Sequence, residues 1–432
     1  MLNLWNWVRH PIALMNDCSR KYGDPFTLNI AGFEHVIFVS HPDAIKDVFT
    51  GSSDGLHAGE ANVLLEPLVG SNSLLLLDGP RHLRERRLLL PPFTGERIHL
   101  YGRVMREVTE SVMSDFCDGA TEPMQPPMQR ITLDVILRTI FGAEGPLLVE
   151  LREALRELLA AATDPWIIFL YPLGETVGSI TPQGRRFQRI RADLDRTLFK
   201  LIRRWRQADL SSRHDVLALL LQARHEEGRP MSDVELRDEL LTLLLAGHET
   251  TATTLSWAFH WLIEHPRSVT TIREELESVF GASVDPERVN KLVYLEAFIK
   301  ETLRLNPIIP IVARRLKEPT RIGGVDMPRG VMVAPCIYLA HRRPDVWTDP
   351  ERFDPTRFLD RKISPYEHLP FGGGIRRCIG MAFAMYEMKI VLGTILQRFD
   401  FEKAPRYRSR VVRRGITFAP SEGMPVVIRR RR

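Results

Sequence analysis

Apolar residues recur every three or four positions along most of this chain, the spacing that places them on one face of a helix. The clearest helix begins at Ser232 and Glu235, which are spaced as a capping box, and continues to about Glu264, where His265-Pro266 ends it. This run of about 32 residues would be roughly 48 Å long. Its middle is apolar on nearly every side, which predicts a helix buried through the centre of the protein.

The same spacing predicts further helices, and a mainly α-helical fold follows from their number. A second helix is predicted over 290–305, and a long apolar helix over 381–399. Other helical patterns cover 41–50, 81–90, 98–116, 131–141 and 147–162, while 163–184 and 341–370 have the Pro, Gly and Asp content of irregular segments.

Two short regions have the pattern of strands instead of helices. β-Branched and aromatic residues on both sides of Ala31-Gly32 predict a hairpin over 23–40. A second hairpin is predicted over 322–340, with turns at Gly323-Gly324 and Pro328-Arg329-Gly330. The fold should therefore contain a small β-rich portion beside its helices.

Composition narrows the class of protein. The 432 residues are 44% apolar and 26% charged, which excludes a disordered, collagen-like or polytopic membrane protein. No apolar run approaches the roughly 18 to 20 residues that cross a bilayer, and the N-terminus lacks the charged leader and cleavage site of a signal peptide. The four cysteines lie far apart without a C-x-x-C pair, which argues against a disulfide scaffold and a structural zinc site and indicates a reducing, cytoplasmic setting.

The net charge of the chain says little about its partners. The local clustering of basic residues is more informative. The chain has 59 Lys and Arg against 54 Asp and Glu, so nucleic-acid binding is not implied. Basic residues are concentrated at 429–432 and at Arg81, Arg84, Arg86 and Arg87. Such patches can steer an acidic protein partner, although a solvated surface is the simpler interpretation of any single run.

Cys378 is distinguished from the other cysteines by its surroundings. It follows Arg376 by two residues and stands directly before the helix predicted over 381–399. Backbone N–H groups and the positive end of a helix dipole stabilise a thiolate at such a place, and the neighbouring glycines would let the backbone approach a flat, bulky group. A single cysteine is usually a small buried apolar residue, but this setting favours a functional thiolate.

The ten residues Phe371-Gly-Gly-Gly-Ile-Arg-Arg-Cys-Ile-Gly380 resemble the F-x-x-G-x-R-x-C-x-G signature of the cytochrome P-450 family, the haem-thiolate monooxygenases, at every fixed position. The resemblance implies a haem b cofactor whose iron is bound by the Cys378 thiolate, with Phe371, Gly374, Gly380 and Ala246 around the cofactor. A thiolate ligand pushes electron density towards the iron and favours O–O cleavage.

The resemblance also implies the overall arrangement. In the P-450 fold the haem lies between the long central helix and the cysteine loop. We therefore expect a single haem domain over 1–432 of the bacterial soluble type, with β-rich parts near 24–40 and 308–340 and no fused reductase.

Three further residues resemble the structural network of this family. Glu301 and Arg304 stand in an E-x-x-R motif, whose i,i+3 spacing places both side chains on one helix face. The run from Trp347 to Phe358 resembles the W-x-x-P-x-x-F-x-P-x-R-F pattern, so Arg357 is expected to complete the network beneath the haem. Arg352 falls outside that pattern and is not assigned.

The centre of the long helix resembles the oxygen-activation motif of the family. The motif is Ala246-Gly-His-Glu-Thr-Thr251. A threonine inside a helix can bond back to the carbonyl at i−4, and for Thr250 this is the carbonyl of Ala246. The resemblance implies that Glu249 and Thr250 relay protons, whereas a threonine that only bonds its own backbone is the ordinary alternative.

Four residues match family positions that hold the haem propionates. His82 and Arg86 form an H-x-x-x-R element whose i,i+4 spacing lets both side chains face one way. Arg314 and Arg376 are the other two positions. For the residue in the strand-like segment after Glu301, Arg314 and Arg315 remain alternatives.

Substrate contacts are expected in segments that are nearly all apolar. In the family they correspond to 63–77, 166–170, 243–246, 308–312 and 416–418, which here include Leu245, Ile309, Val312 and Phe418. Each segment could equally be core. An apolar lining predicts a lipophilic substrate, with a fatty acid, terpenoid, steroid and polyketide all remaining open.

The resemblance implies insertion of one oxygen atom from O₂, by hydroxylation or epoxidation. Because the haem domain fills the chain, a separate ferredoxin or flavodoxin with its reductase is expected to deliver electrons on the face near Arg86, Arg87, Arg376 and Arg377. Two alternatives are a peroxide-driven or hydroperoxide-rearranging haem-thiolate enzyme and a non-catalytic haem sensor. The intact Glu249-Thr250 pair favours the oxygenase.

Overall fold

The computed structural model describes residues 2–30, 34–95, 97–162, 181–281 and 283–431. Helices form most of this part of the chain, which confirms the predicted mainly α-helical fold with a small β portion. They are α1 Leu2–Arg9, α2 Pro11–Tyr22, α3 Pro42–Thr50, α4 Glu66–Val69, α5 Gly79–Leu89, α6 Arg97–Met113, α7 Gln125–Phe141, α8 Gly145–Ala162, α9 Pro182–Arg206, α10 Val216–Gln222, α11 Asp233–Glu264, α12 Pro266–Phe280, α13 Val293–Leu305, α14 Ile337–Ala340, α15 Arg357–Asp360 and α16 Met381–Arg398.

The strands form one larger sheet and several small ones. The larger sheet has the strand order β1-β2-β8-β5-β3, and smaller sheets have the orders β4-β12-β9, β6-β7 and β10-β11. The strands are β1 Phe26–Ile30, β2 Glu34–Val39, β3 Leu56–His57, β4 Thr121–Pro123, β5 Arg314–Leu316, β6 Thr320–Ile322, β7 Val325–Met327, β8 Met332–Pro335, β9 Phe399–Lys403, β10 Val411–Arg414, β11 Thr417–Pro420 and β12 Pro425–Arg430.

The hairpin predicted over 23–40 is confirmed by β1 and β2. The two strands pair antiparallel with Phe26 opposite Phe38, and these two rings stack with centroids 5.0 Å apart. The predicted turn at Ala31-Gly32 lies outside the described residues.

The prediction for 322–340 is right at its first turn and wrong at its second. Strands β6 and β7 pair antiparallel around Gly323-Gly324, whose φ angles of 57° and 78° suit glycine. Strand β8, after Pro328-Arg329-Gly330, pairs with β2 and β5 of the larger sheet. All four β8 residues are buried, whereas most positions of β6 and β7 remain accessible. Burial of apolar surface therefore favours pairing of β8 with the larger sheet over pairing with β7.

Helix α11 has the start, the length and the burial that its sequence predicts. The Ser232 hydroxyl accepts a hydrogen bond from the Glu235 N–H at 3.2 Å, and the Glu235 carboxylate accepts one from the Ser232 N–H at 2.7 Å, which completes the capping box. The helix ends at Glu264, and Pro266 begins α12. Helices α7, α9 and α13 pack against it, so α11 forms the axis of the helical core.

Two predicted helix starts shift for local reasons. Helix α13 begins at Val293, three residues after the predicted start, because residues 286–291 form 3₁₀ turns that the Asp285 carboxylate begins by accepting the Glu287 N–H at 3.1 Å. Helix α7 begins at Gln125, earlier than predicted, with two prolines in its first turn. Proline is tolerated there because the first-turn N–H groups have no partner within the helix.

Among the described helices, none combines the length and apolar character that crossing a bilayer requires.

Candidate active site

Cys378 lies in a tight loop between a 3₁₀ turn over 374–376 and the start of α16. Its N–H donates to the Phe371 carbonyl at 2.9 Å, which fixes the loop. The side chain keeps accessible surface, yet protein atoms surround it densely enough that burial raises the pKa of the thiol, against the opposing effects of the Gly380 N–H and of Arg86. Burial therefore opposes the effect of the helix terminus on this thiol, and a bound metal would deprotonate a coordinating thiol outright.

At two positions of the loop, only glycine leaves room for Phe49. A Cβ on Gly373 would lie 2.1 Å from Phe49 Cδ2, and one on Gly374, whose φ is +62°, would lie 2.1 Å from the Phe49 carbonyl oxygen. A Cβ on Gly380 would have no heavy atom within 4 Å. The sequence explains these glycines by approach to a flat group, but at Gly373 and Gly374 the approaching group is Phe49 of helix α3.

The structure gathers the four residues predicted to bind carboxylates. Burial, with help from the charges of Arg376 and Arg86, lowers the pKa of His82 to about 4, and its Nδ1 is buried without a hydrogen-bond partner. Burial and then Arg376 lower the pKa of Arg314 to about 10. Arg86 donates to the Arg377 carbonyl at 2.6 Å. The cluster contains more positive charge than negative.

Asp78 supplies negative charge to this cluster, and the sequence did not single out its side chain. Its carboxylate pairs with Arg376 and also accepts the N–H groups of Ala58, Gly59 and Glu60 at 2.9, 2.9 and 3.0 Å. The sequence feature that could have identified Asp78 is its position directly before helix α5. One carboxylate does not balance three cationic side chains, so the cluster fits a ligand that carries further carboxylates, as haem b does in its two propionates.

Strand β5 distinguishes Arg314 from Arg315. Its side chains alternate between the two faces of the sheet. Arg314 is buried, whereas Arg315 donates to the Gly330 carbonyl at 2.9 Å and lies 3.9 Å from Glu60 on an accessible face. The geometry therefore places Arg314, and not Arg315, beside His82 and Arg376.

Glu301 and Arg304 form a fully buried pair. The two guanidinium nitrogens lie 2.6 and 2.8 Å from the two carboxylate oxygens, and both side chains are 0% exposed. Arg304 also donates to the carbonyls of His341, Pro350 and Arg352 at 2.8, 2.7 and 3.0 Å. Every charge of the pair is therefore matched by close polar contacts.

Arg357 joins this pair at its edge, as the pattern predicts. Its Nε lies 3.4 Å from Glu301 Oε1, and its Nη2 donates to the Asp349 carbonyl at 3.0 Å. The Arg352 side chain is exposed, so leaving it unassigned agrees with the structure, although its carbonyl accepts from Arg304.

Thr250 and Glu249 are neighbours in sequence but their polar groups point to different partners. The Thr250 hydroxyl donates to the Ala246 carbonyl at 2.6 Å, the i−4 bond that the sequence predicts. The Glu249 carboxylate accepts from Gln129 Nε2 at 2.7 Å and Gln125 Nε2 at 3.3 Å on helix α7. Neither glutamine was singled out from the sequence, because nothing local to α7 indicates which helix it will contact.

His248, within the same motif, is buried against α7. Its Nδ1 lies 2.9 Å from Thr132 Oγ1, and burial followed by the charge of Arg414 lowers its pKa to about 4. It is therefore a neutral packing residue near neutral pH.

The four residues proposed to line a substrate pocket differ in exposure. Leu245, Ile309 and Val312 are half-buried, and Ala246 is exposed despite its place on the central helix. Phe418 is buried in an apolar cluster that includes Phe26 and Phe38, and its carbonyl accepts from Trp257 Nε1 at 3.0 Å. Phe418 is therefore core. Segment 166–170 lies outside the described residues.

The chain is similar to known proteins over nearly its whole length. The cytochrome P450 family profile matches residues 1–423. A protein of Mycobacterium tuberculosis (strain ATCC 25618 / H37Rv), whose name places it among cytochromes P450 as number 135B1, is 39% identical over 430 residues, 98% of this chain and 88% of that protein.

Solved structures show the same likeness. Retinoic acid-bound cyanobacterial CYP120A1 has a TM-score of 0.88 and 26% identity, covering 99% of this chain and 96% of that chain. The haem domain of cytochrome P450DA has a TM-score of 0.87 and 26% identity, covering 100% of this chain and 95% of that chain.

Proposed function

This chain belongs to the cytochrome P450 family, and from that premise we propose that it inserts one oxygen atom of O₂ into a lipophilic small molecule, with electrons from a separate redox protein. Membership confirms the predicted fold, the haem b cofactor and the class of haem-thiolate monooxygenase. The observation that supports it most is the cluster of His82, Arg86, Arg314 and Arg376 beside the Cys378 loop, which holds more positive charge than Asp78 balances.

Haem b supplies the iron at which O₂ is activated. We assign its thiolate ligand to Cys378 and its propionate contacts to His82, Arg86, Arg314 and Arg376. The support is the excess of buried positive charge around Asp78 and the unpartnered His82 Nδ1. The buried pair of Glu301 and Arg304 would hold the segment 341–352 through the carbonyls that accept from Arg304.

We infer the substrate class from three apolar side chains in the segments expected to contact substrate. Leu245, Ile309 and Val312 are apolar and only half-buried, which favours contact with a lipophilic molecule. The cyanobacterial neighbour was solved with retinoic acid, which is consistent with such a substrate. Screening fatty acids, terpenoids, steroids and polyketides for shifts of the haem spectrum, with sugars as the matched polar control, tests this. Shifts with sugars alone would contradict the proposal.

The redox partner would dock where Arg87 and Arg377 are exposed. Arg86 binds the Arg377 carbonyl at 2.6 Å, and Arg87 pairs with Glu226 at 2.7 Å. Arg376 was expected on this face, but its side chain turns inward to Asp78 and the carbonyls of Leu74 and Leu77. An acidic ferredoxin or flavodoxin fits the charge of Arg86 and Arg377, and would compete with Glu226 for Arg87.

A peroxide-driven or rearranging haem-thiolate enzyme and a haem sensor are the competing functions. Neither requires an acid and a threonine on the central helix. Product formation with O₂, reductant and a surrogate ferredoxin separates the three: the oxygenase needs all of them, the second needs only a peroxide, and a sensor forms no product.

Thr250→Ala should leave haem content and substrate affinity nearly unchanged while lowering the product formed per NAD(P)H and raising hydrogen peroxide. A positioned proton donor contributes about 10²- to 10⁴-fold to a step, so its loss lets peroxide release compete with product formation. The measurement is product and peroxide per NAD(P)H oxidised. Thr251→Ala is the control and should have the milder effect. Unchanged coupling in Thr250→Ala would mean that protons arrive by another route.

Arg314→Gln should weaken haem retention, and Arg315→Gln should not. A hydrogen bond to a charged group contributes about 1.5 to 3 kcal/mol, so haem transfer to apomyoglobin should be roughly 10- to 100-fold faster in Arg314→Gln. The adjacent Arg315 has the same side chain and faces Glu60 instead, which makes it a matched control. Equal rates in both variants would remove Arg314 from the propionate site.

A further inference from the structure

Helix α9 carries far more positive charge than its share of the chain. Its 25 residues include nine basic and two acidic side chains, a net charge of +7, whereas all 432 residues together carry +5. The other 407 residues therefore sum to −2. The excess of positive over negative charge in this protein is therefore accounted for by one helix.

The basic residues of α9 lie opposite its packed face. Its buried residues are Gly184, Phe187, Ile190, Leu194, Leu198, Leu201 and Ile202, and α8, α10 and α11 pack against the helix. The basic stripe consists of Arg185, Arg189, Arg196, Lys200 and Arg203, which are all exposed. At 3.6 residues per turn these five positions fall within about 60° of one another and extend roughly 27 Å along the helix.

Three residues of the basic stripe have no carboxylate partner within the described part of the chain. Arg196 pairs with Asp193 of the same helix, but no carboxylate of the described ranges lies within ion-pair distance of Arg189, Lys200 or Arg203. The neighbouring α8 holds three glutamates and two arginines, a net charge of −1. Like charges four residues apart on a helix destabilise it. An anionic partner would reduce this electrostatic repulsion within the basic stripe.

We propose that the basic stripe docks this protein on an anionic membrane surface, with its guanidinium groups on lipid phosphates. Exposed side chains that form a straight line along one helix can contact a flat surface together. Guanidinium groups bind phosphate oxygens in pairs, and basic residues near an anionic bilayer contribute additively to binding.

Nucleic acid fits this face less well. The stripe contains no aromatic side chain on which bases could stack. The stripe consists only of Arg and Lys, which contact phosphates, and has no Asn or Gln to read adenine edges. The proposal does not depend on the substrate class, although a lipophilic substrate would concentrate in the same membrane.

Co-sedimentation of the haem-loaded full-length protein with vesicles tests this proposal. We expect binding to phosphatidylcholine vesicles that contain phosphatidylglycerol, no binding to phosphatidylcholine alone, and release at high ionic strength because salt screens exposed charges. The variant Arg189→Gln, Lys200→Gln, Arg203→Gln should bind roughly 100-fold more weakly, since each basic residue near the surface contributes about a fivefold factor.

The matched control removes the same side chains elsewhere. Arg103→Gln, Lys362→Gln, Arg267→Gln replaces exposed residues outside α9 and changes the net charge equally, so it should bind like the unmodified protein. Equal loss in both variants would show that only net charge acts, and no binding to anionic vesicles would overturn the proposal. Tight binding to duplex DNA together with no binding to anionic vesicles would overturn it as well. None of these readouts depends on catalysis, so a failed substrate screen leaves the test intact.

Discussion

Cys378→Ala should abolish the strongly red-shifted Soret band that a thiolate-ligated haem gives when carbon monoxide is added to the reduced protein. The spectroscopic signature depends on a sulfur ligand, and alanine provides none. The loop should still form, because the bond from the residue 378 N–H to the Phe371 carbonyl is a backbone contact. The absorption spectrum and the haem content of the purified variant are the two measurements.

The other cysteines provide the control for this prediction. Cys117 is exposed and lies outside the cysteine loop, so Cys117→Ala should keep the red-shifted band. If the unmodified protein gave the spectrum of a histidine-ligated globin, or if Cys378→Ala kept its band, the assignment of the iron ligand would be wrong.

Glu301→Ala and Arg304→Ala should each yield little folded, haem-loaded protein. Removing one partner of a buried ion pair leaves the other charge unpaired and costs about 3 to 5 kcal/mol, which is a large fraction of the stability of a typical domain. Arg304→Ala also leaves the three carbonyls that accept from it without their donor. Arg357→Ala should also lower the yield of folded, haem-loaded protein, but by less, because the distance from Arg357 to Glu301 is longer.

A surface pair with the same spacing provides a matched control. Asp17 and Arg20 are also three residues apart on a helix and 2.6 Å from each other, but both side chains are mostly exposed. An exposed pair contributes under about 1 kcal/mol, so Asp17→Ala should fold and bind haem normally. The measurements are soluble yield, haem per chain and the thermal midpoint. Normal haem content in both Glu301→Ala and Arg304→Ala would contradict a structural role for the pair.

The position of Glu249 changes how a proton relay through the central helix would have to work. Its carboxylate is held by Gln125 and Gln129 of α7, and Arg414 lies 3.9 Å away near the protein surface. The Thr250 hydroxyl is bonded to its own helix. The proposed relay therefore requires the Glu249 side chain to move, or water to connect it to Thr250.

Features that depend on residues within a turn or two of each other were predictable from the sequence. The capping box of α11, the i−4 bond of Thr250 and the i,i+3 pairing of Glu301 with Arg304 all formed as the spacing predicts. The backbone geometry of a helix fixes which side chains can meet at these separations. The cysteine signature is equally local, so the family, the fold class and the haem b cofactor followed from a few short segments.

Contacts between distant segments were decided by the tertiary structure alone. The pairing of β8 with β2, the inward turn of Arg376 towards Asp78, the packing of Phe49 against Gly373 and Gly374, and the hold of Gln129 on Glu249 join residues that lie far apart in the chain. The choice between Arg314 and Arg315 belongs to the same group, because it depends on which face of the larger sheet is covered. Such contacts form only where the packing of the whole core brings the segments together, and no local spacing encodes that packing.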